Sequence, residues 1–228
     1  TDLFVKQVFS RSEQKSLSLK TGAEMNLRNY RQTFYRSSDG FSVQQGLNGL
    51  ESAVFAEGEY KIAGKISLRG GLRSEFTGYN KEYNLSPRIA VAFRISDFSQ
   101  ISGAWGYYNQ LPETKYLMIN HELKNQQAIH YIFNYQLIKQ NQTFRAEIYY
   151  KNYQYLLRYD SLYAPYKYQY NSGGYGYARG IDLFWRDKRT IKNLDYWLSY
   201  SYIDTKRLFH DYPIAVRPPW FPAHTFSA

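Results

Sequence analysis

Cysteine is absent from the 228 residues. That excludes a disulfide framework and any Cys-based zinc site. It does not place the compartment. Long apolar runs are missing too. The longest is Ile89 to Phe93, far short of the ~18–20 residues of a membrane helix. The opening "TDLFVKQVFSRSEQ" lacks the basic start, apolar stretch and cleavage site of a signal peptide. The chain reads as mature, or as a piece of something longer. Catalytic and metal signatures are equally scarce. His121, His130, His210 and His224 form no H-x-x-x-H or H-E-x-x-H spacing, and His121-Glu122 lacks a second His. "GYGYARG" follows no strand-to-helix pattern, so it is not read as a phosphate loop. Its glycines suit strand bending. "SGG" is a turn and not a nucleophile elbow. His210-Asp211 is the one acid–base pair in a long connection and is read as a loop pair. No enzyme, cofactor or metal site is expected. No helix-turn-helix, zinc finger or RNP pattern occurs, so nucleic acid is not an expected partner.

What is present is tyrosine. Aromatics make up 19% of the chain, with 25 Tyr against 14 Phe and 4 Trp. An apolar ring with a polar tip suits half-wet surfaces and membrane interfaces. The formal charge of +10 suits anionic lipid headgroups or anionic ligands. The bases are spread along the chain, mostly at alternate strand positions, so solvated polar faces are the plainer reading.

Period-two alternation is nearly everywhere. Leu17, Leu19, Ala23, Met25 and Leu27 alternate with Ser18, Lys20, Glu24, Asn26 and Arg28. Ile66, Leu68, Leu72 and Phe76 alternate with Ser67, Arg69, Arg73 and Glu75. Leu85, Ile89, Val91 and Phe93 alternate with Ser86, Arg88 and Arg94, and Phe144, Ala146, Ile148 and Tyr150 with Arg145, Glu147 and Lys151. About ten strands follow, many ~9–13 residues long against ~5–6 in soluble proteins. The only helical candidate is a turn within "LPETKYLMINHELKNQQ".

Connection lengths alternate. "SRSEQK", "AGK", "SDFS", "KQNQ" and "DKRTIKN" are short, and residues 30–50, 77–84, 111–126, 156–173 and 207–223 are long. In an up-and-down meander this sorts tight turns to one end and long loops to the other, as in outer-membrane barrels. The strands have the ~9–11 residues a tilted bilayer crossing needs. Lipid forbids an open edge, so such a sheet must close. An Arg facing lipid costs ~2–4 kcal/mol at the midplane. The polar set, with Glu57, Glu59, Arg69, Arg73, Arg88 and Arg94, is therefore expected to face a wet lumen. Tyr60, Phe76, Trp105, Tyr107, Tyr150, Trp185 and Tyr196 lie near the ends of their runs. They read as interface girdles or simply as good strand residues.

The pieces "GLRSE", "LSPRIAVAF", "ISGAWGYYNQLP", "FRAEIYYKNY", "GYARGIDLFWR", "YWLSYSYIDTKR" and "PAHTFSA" occur in an order that resembles the barrel of TonB-dependent outer-membrane receptors, particularly of Bacteroidetes-type bacteria. The resemblance implies an all-β transmembrane antiparallel barrel of ~22 strands, of which about ten lie here. It implies residues 1–228 as a single barrel segment, with the plug domain and last strands elsewhere. It implies uptake of an iron chelate, cobalamin, glycan or peptide, driven by the TonB complex. Expected neighbours are the plug, the remainder of the barrel, and outer-membrane lipid or lipopolysaccharide. Tyr107, Tyr108, Tyr116, Tyr163 and Tyr166 are the expected ligand contacts from outer loops. The lumenal set would hydrogen-bond to plug or water. A self-contained ten-stranded pore or adhesin, or a soluble β interaction module binding anionic polymers, would carry much of the same alternation.

Overall fold

The computed structural model describes residues 2–13, 16–36, 41–160, 170–219 and 221–228. Eleven strands follow one another: β1 (Asp2–Glu13), β2 (Leu17–Arg36), β3 (Phe41–Ile62), β4 (Ile66–Thr77), β5 (Glu82–Arg94), β6 (Ser99–Gln110), β7 (Gln126–Lys139), β8 (Gln142–Tyr159), β9 (Tyr170–Asp187), β10 (Tyr196–Leu208) and β11 (His224–Ser227). Each pairs antiparallel with the next, in one sheet ordered β1 to β11. The expectation of about ten strands is exceeded by one. The extra strand is the one that "PAHTFSA" leads into. Among the described residues a single helix, α1 (Thr114–Leu117), interrupts the β6–β7 connection where the helical turn was expected.

The expected loop at residues 30–50 is mostly strand. β1 pairs with β2 only as far as Arg28, and β4 with β3 only as far as Glu51. Beyond those points β2 and β3 continue as a two-stranded ribbon to Arg36↔Phe41. "NYRQTFYR" is rich in β-favouring residues but presents no apolar face for a sheet, which is why it reads as loop. The short end is built from tight turns. At "AGK", Ala63 and Gly64 both have positive φ, 48° and 67°, the geometry of a type I′ hairpin turn.

Side-chain exposure decides which face is which. Along β2, Ala23, Met25 and Leu27 are exposed while Gly22, Glu24, Asn26 and Arg28 are half-buried. Along β9, Tyr175, Ile181 and Leu183 are exposed while Gly174, Gly176, Ala178 and Gly180 are buried. The apolar set stands on the open, convex side, and the polar and small set is crowded onto the concave side. A soluble sheet would do the reverse. The outward residues also form two aromatic bands. Tyr131, Tyr150 and Tyr177 follow one another across β7, β8 and β9 at 6.2 and 6.5 Å. Tyr135, Phe144 and Trp185 do the same nearer the tight turns, at 6.1 and 6.1 Å. Tyr177 and Trp185 lie about 26 Å apart along β9, or about 20 Å along the membrane normal at ~40° tilt, close to the apolar height of an outer-membrane barrel.

One irregularity follows directly from sequence. β5 bonds to β4 through its even residues and to β6 through its odd ones, as Arg94 N–H to Lys65 and Ile95 N–H to Ser99 show. Pro87 has no N–H to offer β6. The β5–β6 ladder stops one residue away, at Arg88↔Gly106. Above that point the two strands part, and the β6–β7 connection fills the space over the concave face.

Candidate functional site

The concave wall divides into two chemically different halves. Across β1 to β4 its cations are matched to carboxylates. Arg73 lies 2.6 Å from both Glu24 and Glu75, and Lys6 lies 2.6 Å from Glu24. Arg69 lies 2.7 Å from Glu59 and 3.8 Å from Glu57. Ser67 donates to Glu59 at 3.0 Å. Phe55 lies flat within this network, under Lys6 and Arg73 at 5.6 and 5.9 Å. Gly22 makes room for it, since a Cβ there would strike the Phe55 ring. These lattices stiffen the wall and leave little free charge.

Across β5 to β10 Arg186 is still paired, with Asp195 at 2.8 Å near the tight turns, but toward the outer end three cations meet aromatic rings instead. Arg88 sits 4.5 Å from the Tyr108 ring, and Tyr108 lies 4.4 Å from His130. His130 faces Lys151 across the β7–β8 ladder. Lys151 is 5.1 Å from the Tyr149 ring. Arg207 is 4.4 Å from Tyr153 and 5.9 Å from Phe221. The buried Nε of Arg207 meets no acceptor among the described residues. The stripe Gly174, Gly176, Ala178 and Gly180 lets these side chains lie close to β9. A Cβ at Gly176 would collide with Arg207, and one at Gly180 with Tyr149.

Above the wall, the outer connections share a core of their own. Leu47, Tyr79, Tyr116, Leu117, Met118, Leu123, Leu157, Tyr159 and Tyr170 are buried together. They come from the β2–β3 ribbon, the β4–β5 turn, the β6–β7 connection and the ends of β8 and β9. Side-chain amides tie the pieces: the buried Asn120 donates to the Tyr170 carbonyl and the half-buried Asn80 to the Leu123 carbonyl, each at 2.8 Å. Asn125 donates to Thr77 at 3.4 Å, holding this core to the top of β4. Burial pushes the Tyr159 hydroxyl up to about 12, so it stays protonated.

The expected site residues land in different places. Glu57, Glu59, Arg69, Arg73, Arg88 and Arg94 share the concave face, Arg94 exposed at its inner rim beside Gln100. Tyr108 is on the same wall. Tyr107 has the outward parity and meets Trp105 edge-on at 5.3 Å. Tyr116 is 6% exposed within the loop core. Tyr163 and Tyr166 lie outside the described residues. His130, Lys151 and Arg207 were not among the expected contacts. His130 and Lys151 were visible as alternate polar residues, but their convergence needs the strand register. Arg207 falls where a loop was expected.

His210 closes the outer end. Its ring stacks on Tyr159 at 5.1 Å, its N–H donates to Leu157 and its carbonyl accepts from Tyr159. Burial holds the imidazole below its ordinary value, opposed by the Asp211 and Glu113 carboxylates and reinforced by Lys115. A base with a depressed folded pKa binds fewer protons than its unfolded form. The contact is therefore fully stable above about 6.5 and is lost as pH falls through the lower folded value. Once the base-catalysed intrinsic rate is divided out, the protection of the Tyr159 and His210 amides against hydrogen exchange should fall between pH 7.5 and 5, and His210→Gln should flatten that dependence. An equal fall in protection in both proteins would assign the effect elsewhere.

An open-faced antiparallel meander, greasy outside and polar within, defines a piece of an outer-membrane β-barrel wall. The sequence profile described as "TonB dependent receptor-like, beta-barrel" matches residues 7–226. The chain belongs to that family, whose barrels lie in the outer membrane of Gram-negative bacteria. Among solved structures it resembles the outer-membrane transporter YddB from Escherichia coli, at 15% identity and TM-score 0.68, covering 90% of this chain and 33% of that one. It also resembles the FrpB iron transporter from Neisseria meningitidis, at 13% identity and TM-score 0.72, covering 90% and 36%. A third is the siderophore receptor PirA from Pseudomonas aeruginosa, at 11% identity and TM-score 0.70, covering 90% and 41%. The chain thus spans well under half the length of each, and these identities establish the fold alone. They single out no Bacteroidetes subtype. No curated protein matches the sequence.

Proposed function

We propose that this chain is part of a TonB-dependent transporter that takes up a scarce, negatively charged ligand, such as an iron chelate, through a plugged barrel. The observation that carries this reading is the contrast along the concave wall. Cations across β1 to β4 are neutralised by Glu24, Glu57, Glu59 and Glu75, whereas Arg88, Lys151 and Arg207 lie against tyrosines. Cation and ring together favour an anionic, flat-faced ligand. The plug and the remaining strands come from the rest of the protein. β1 and β11 are the two edges of the sheet, and lipid does not tolerate an unpaired edge. A self-contained pore or adhesin would need those edges to meet. A soluble module would not expose its apolar set.

The test uses the full-length receptor and two ferric chelates, one net negative and one neutral. Arg88→Gln and Arg207→Gln should each weaken binding of the negative chelate about tenfold, the loss of one charge-assisted contact. The neutral chelate should be unaffected. Equal effects on both chelates, or none on either, would refute the charge preference. Uptake that persists in cells lacking TonB would refute the transporter reading itself.

A further inference from the structure

The outward face carries one feature that lipid solvation alone does not explain. Gly103, on β6, has outward parity between Ile101 and Trp105. Its missing side chain leaves space, since a Cβ there would come no nearer to anything than 3.9 Å, at the Ile132 carbonyl. The result is an open groove of about 680 Å³ walled by Val91, Trp105, Phe133 and Ile148. It reaches across β7 and β8 to Arg179 on β9.

Arg179 is an outward-facing cation in a wall otherwise built for acyl chains. It stands in the aromatic band on the loop side, 5.6 Å from the Tyr177 ring and opposite Tyr150 in register. Its Nε donates to Asp204 at 2.9 Å, and Tyr177 donates to the same carboxylate oxygen at 3.2 Å. The side chain is 64% exposed. Its terminal nitrogens meet no acceptor among the described residues. Lys206, exposed and two residues outward from Asp204 on the same face, adds a second cation. Beyond the band, polar residues join the outward set. Asn152 and Gln154 follow one another outward along β8 and are bonded at 3.2 Å. Amide and tyrosine together suit the wet edge of an apolar layer.

We propose that this groove is a binding site for a phosphorylated glycolipid of the outer leaflet, the lipid A portion of lipopolysaccharide. One acyl chain lies over Gly103. A phosphate bridges the free guanidinium nitrogens of Arg179 and the Lys206 ammonium. Asp204 fixes the fork of Arg179 so that its remaining donors point to the headgroup layer, and a planar guanidinium bonds phosphate in pairs. Charge complementarity singles out this occupant. A second copy of this wall would cover the groove with apolar side chains and offer the guanidinium no anion.

The site does not depend on the transported ligand, so uptake should be unchanged when it is altered. Full-length receptor is purified from outer membranes in mild detergent, and its retained lipid is quantified by mass spectrometry. The native protein should keep lipopolysaccharide through detergent washing. Arg179→Gln should lower the retained amount about tenfold, with Arg179→Lys in between. Gly103→Leu should lower it similarly by filling the groove, while both variants keep a native heat-modifiable barrel. If Arg179→Gln fails to assemble, Gly103→Leu decides. Unchanged retention in the assembled variants would overturn the proposal. So would equal retention of phosphatidylglycerol from nanodiscs of that lipid, or a change in oligomeric state with the lipid content unaltered.

Discussion

Val91→Arg should abolish most assembly of the full-length receptor, whereas Asn134→Arg should leave it near native. Val91 is on β5, 42% exposed, with Leu68 and Gly103 beside it and in line with Phe133, midway between the rows of Tyr131 and Tyr135 in the two aromatic bands. In a water-soluble sheet, so exposed a residue would accept arginine at almost no cost. At the lipid midplane the same change costs ~2–4 kcal/mol, about thirty- to a thousandfold in the folded population. Asn134 has the opposite parity on β7 and stands across from Glu147, so an arginine there gains a cross-strand partner. Heat-modifiable mobility of the outer-membrane fraction reads both variants. Native assembly of Val91→Arg would mean that the exposed apolar face meets water or another protein surface and not acyl chains.

That pair of substitutions also marks what sequence could and could not reveal. The parity of Arg69, Arg73, Arg88 and Arg94 was legible because the side-chain period of a strand is fixed at two, and one costly choice settles the whole face. The sorting of tight turns and long connections was legible for a similar reason, since a meander sends every second connection to the same end. What was not legible came from cross-strand register and from packing among loops. Arg88, Tyr108, His130 and Lys151 lie on four different strands, and only the ladder pairings bring them together. Residues 29–50 lack apolar periodicity, because a ribbon outside the membrane needs none, and so resembled a loop. Tyr116 looked like a loop residue free to touch ligand. The reason it is not lies in Leu47, Tyr79 and Tyr170, drawn from three other connections and invisible in its own neighbourhood. Arg179 escaped notice because the alternation rule treats every outward position as apolar, and an ion pair with Asp204 at the interface is where that rule relaxes.

The loop core yields the second large effect. Leu117 is fully buried, at 0% exposure, on α1. A helix of four residues has no stability of its own, because nucleation is unfavourable and too few bonds follow it. It exists because Tyr116 and Leu117 are inserted among Leu47, Tyr79, Leu157, Tyr159 and Tyr170. Leu117→Ala removes buried methyl groups from so small a core, at a cost of about 2–5 kcal/mol. The loss falls on residues 111–125, which take no part in the strand ladders, since the β6–β7 ladder ends at Gln110↔Gln126. Local opening should therefore rise by about thirtyfold or more. Limited proteolysis should cut the 111–125 segment faster, and the Asn120–Tyr170 bond should lose its protection, while heat-modifiability stays native. Ligand affinity should fall as well, since binding must then order a roof that the native protein holds ready. Cleavage at the native rate would mean that the outer connections are held by their strand ends alone. The roof over the Arg88–Lys151–Arg207 wall would then be no more pre-organised than an ordinary loop.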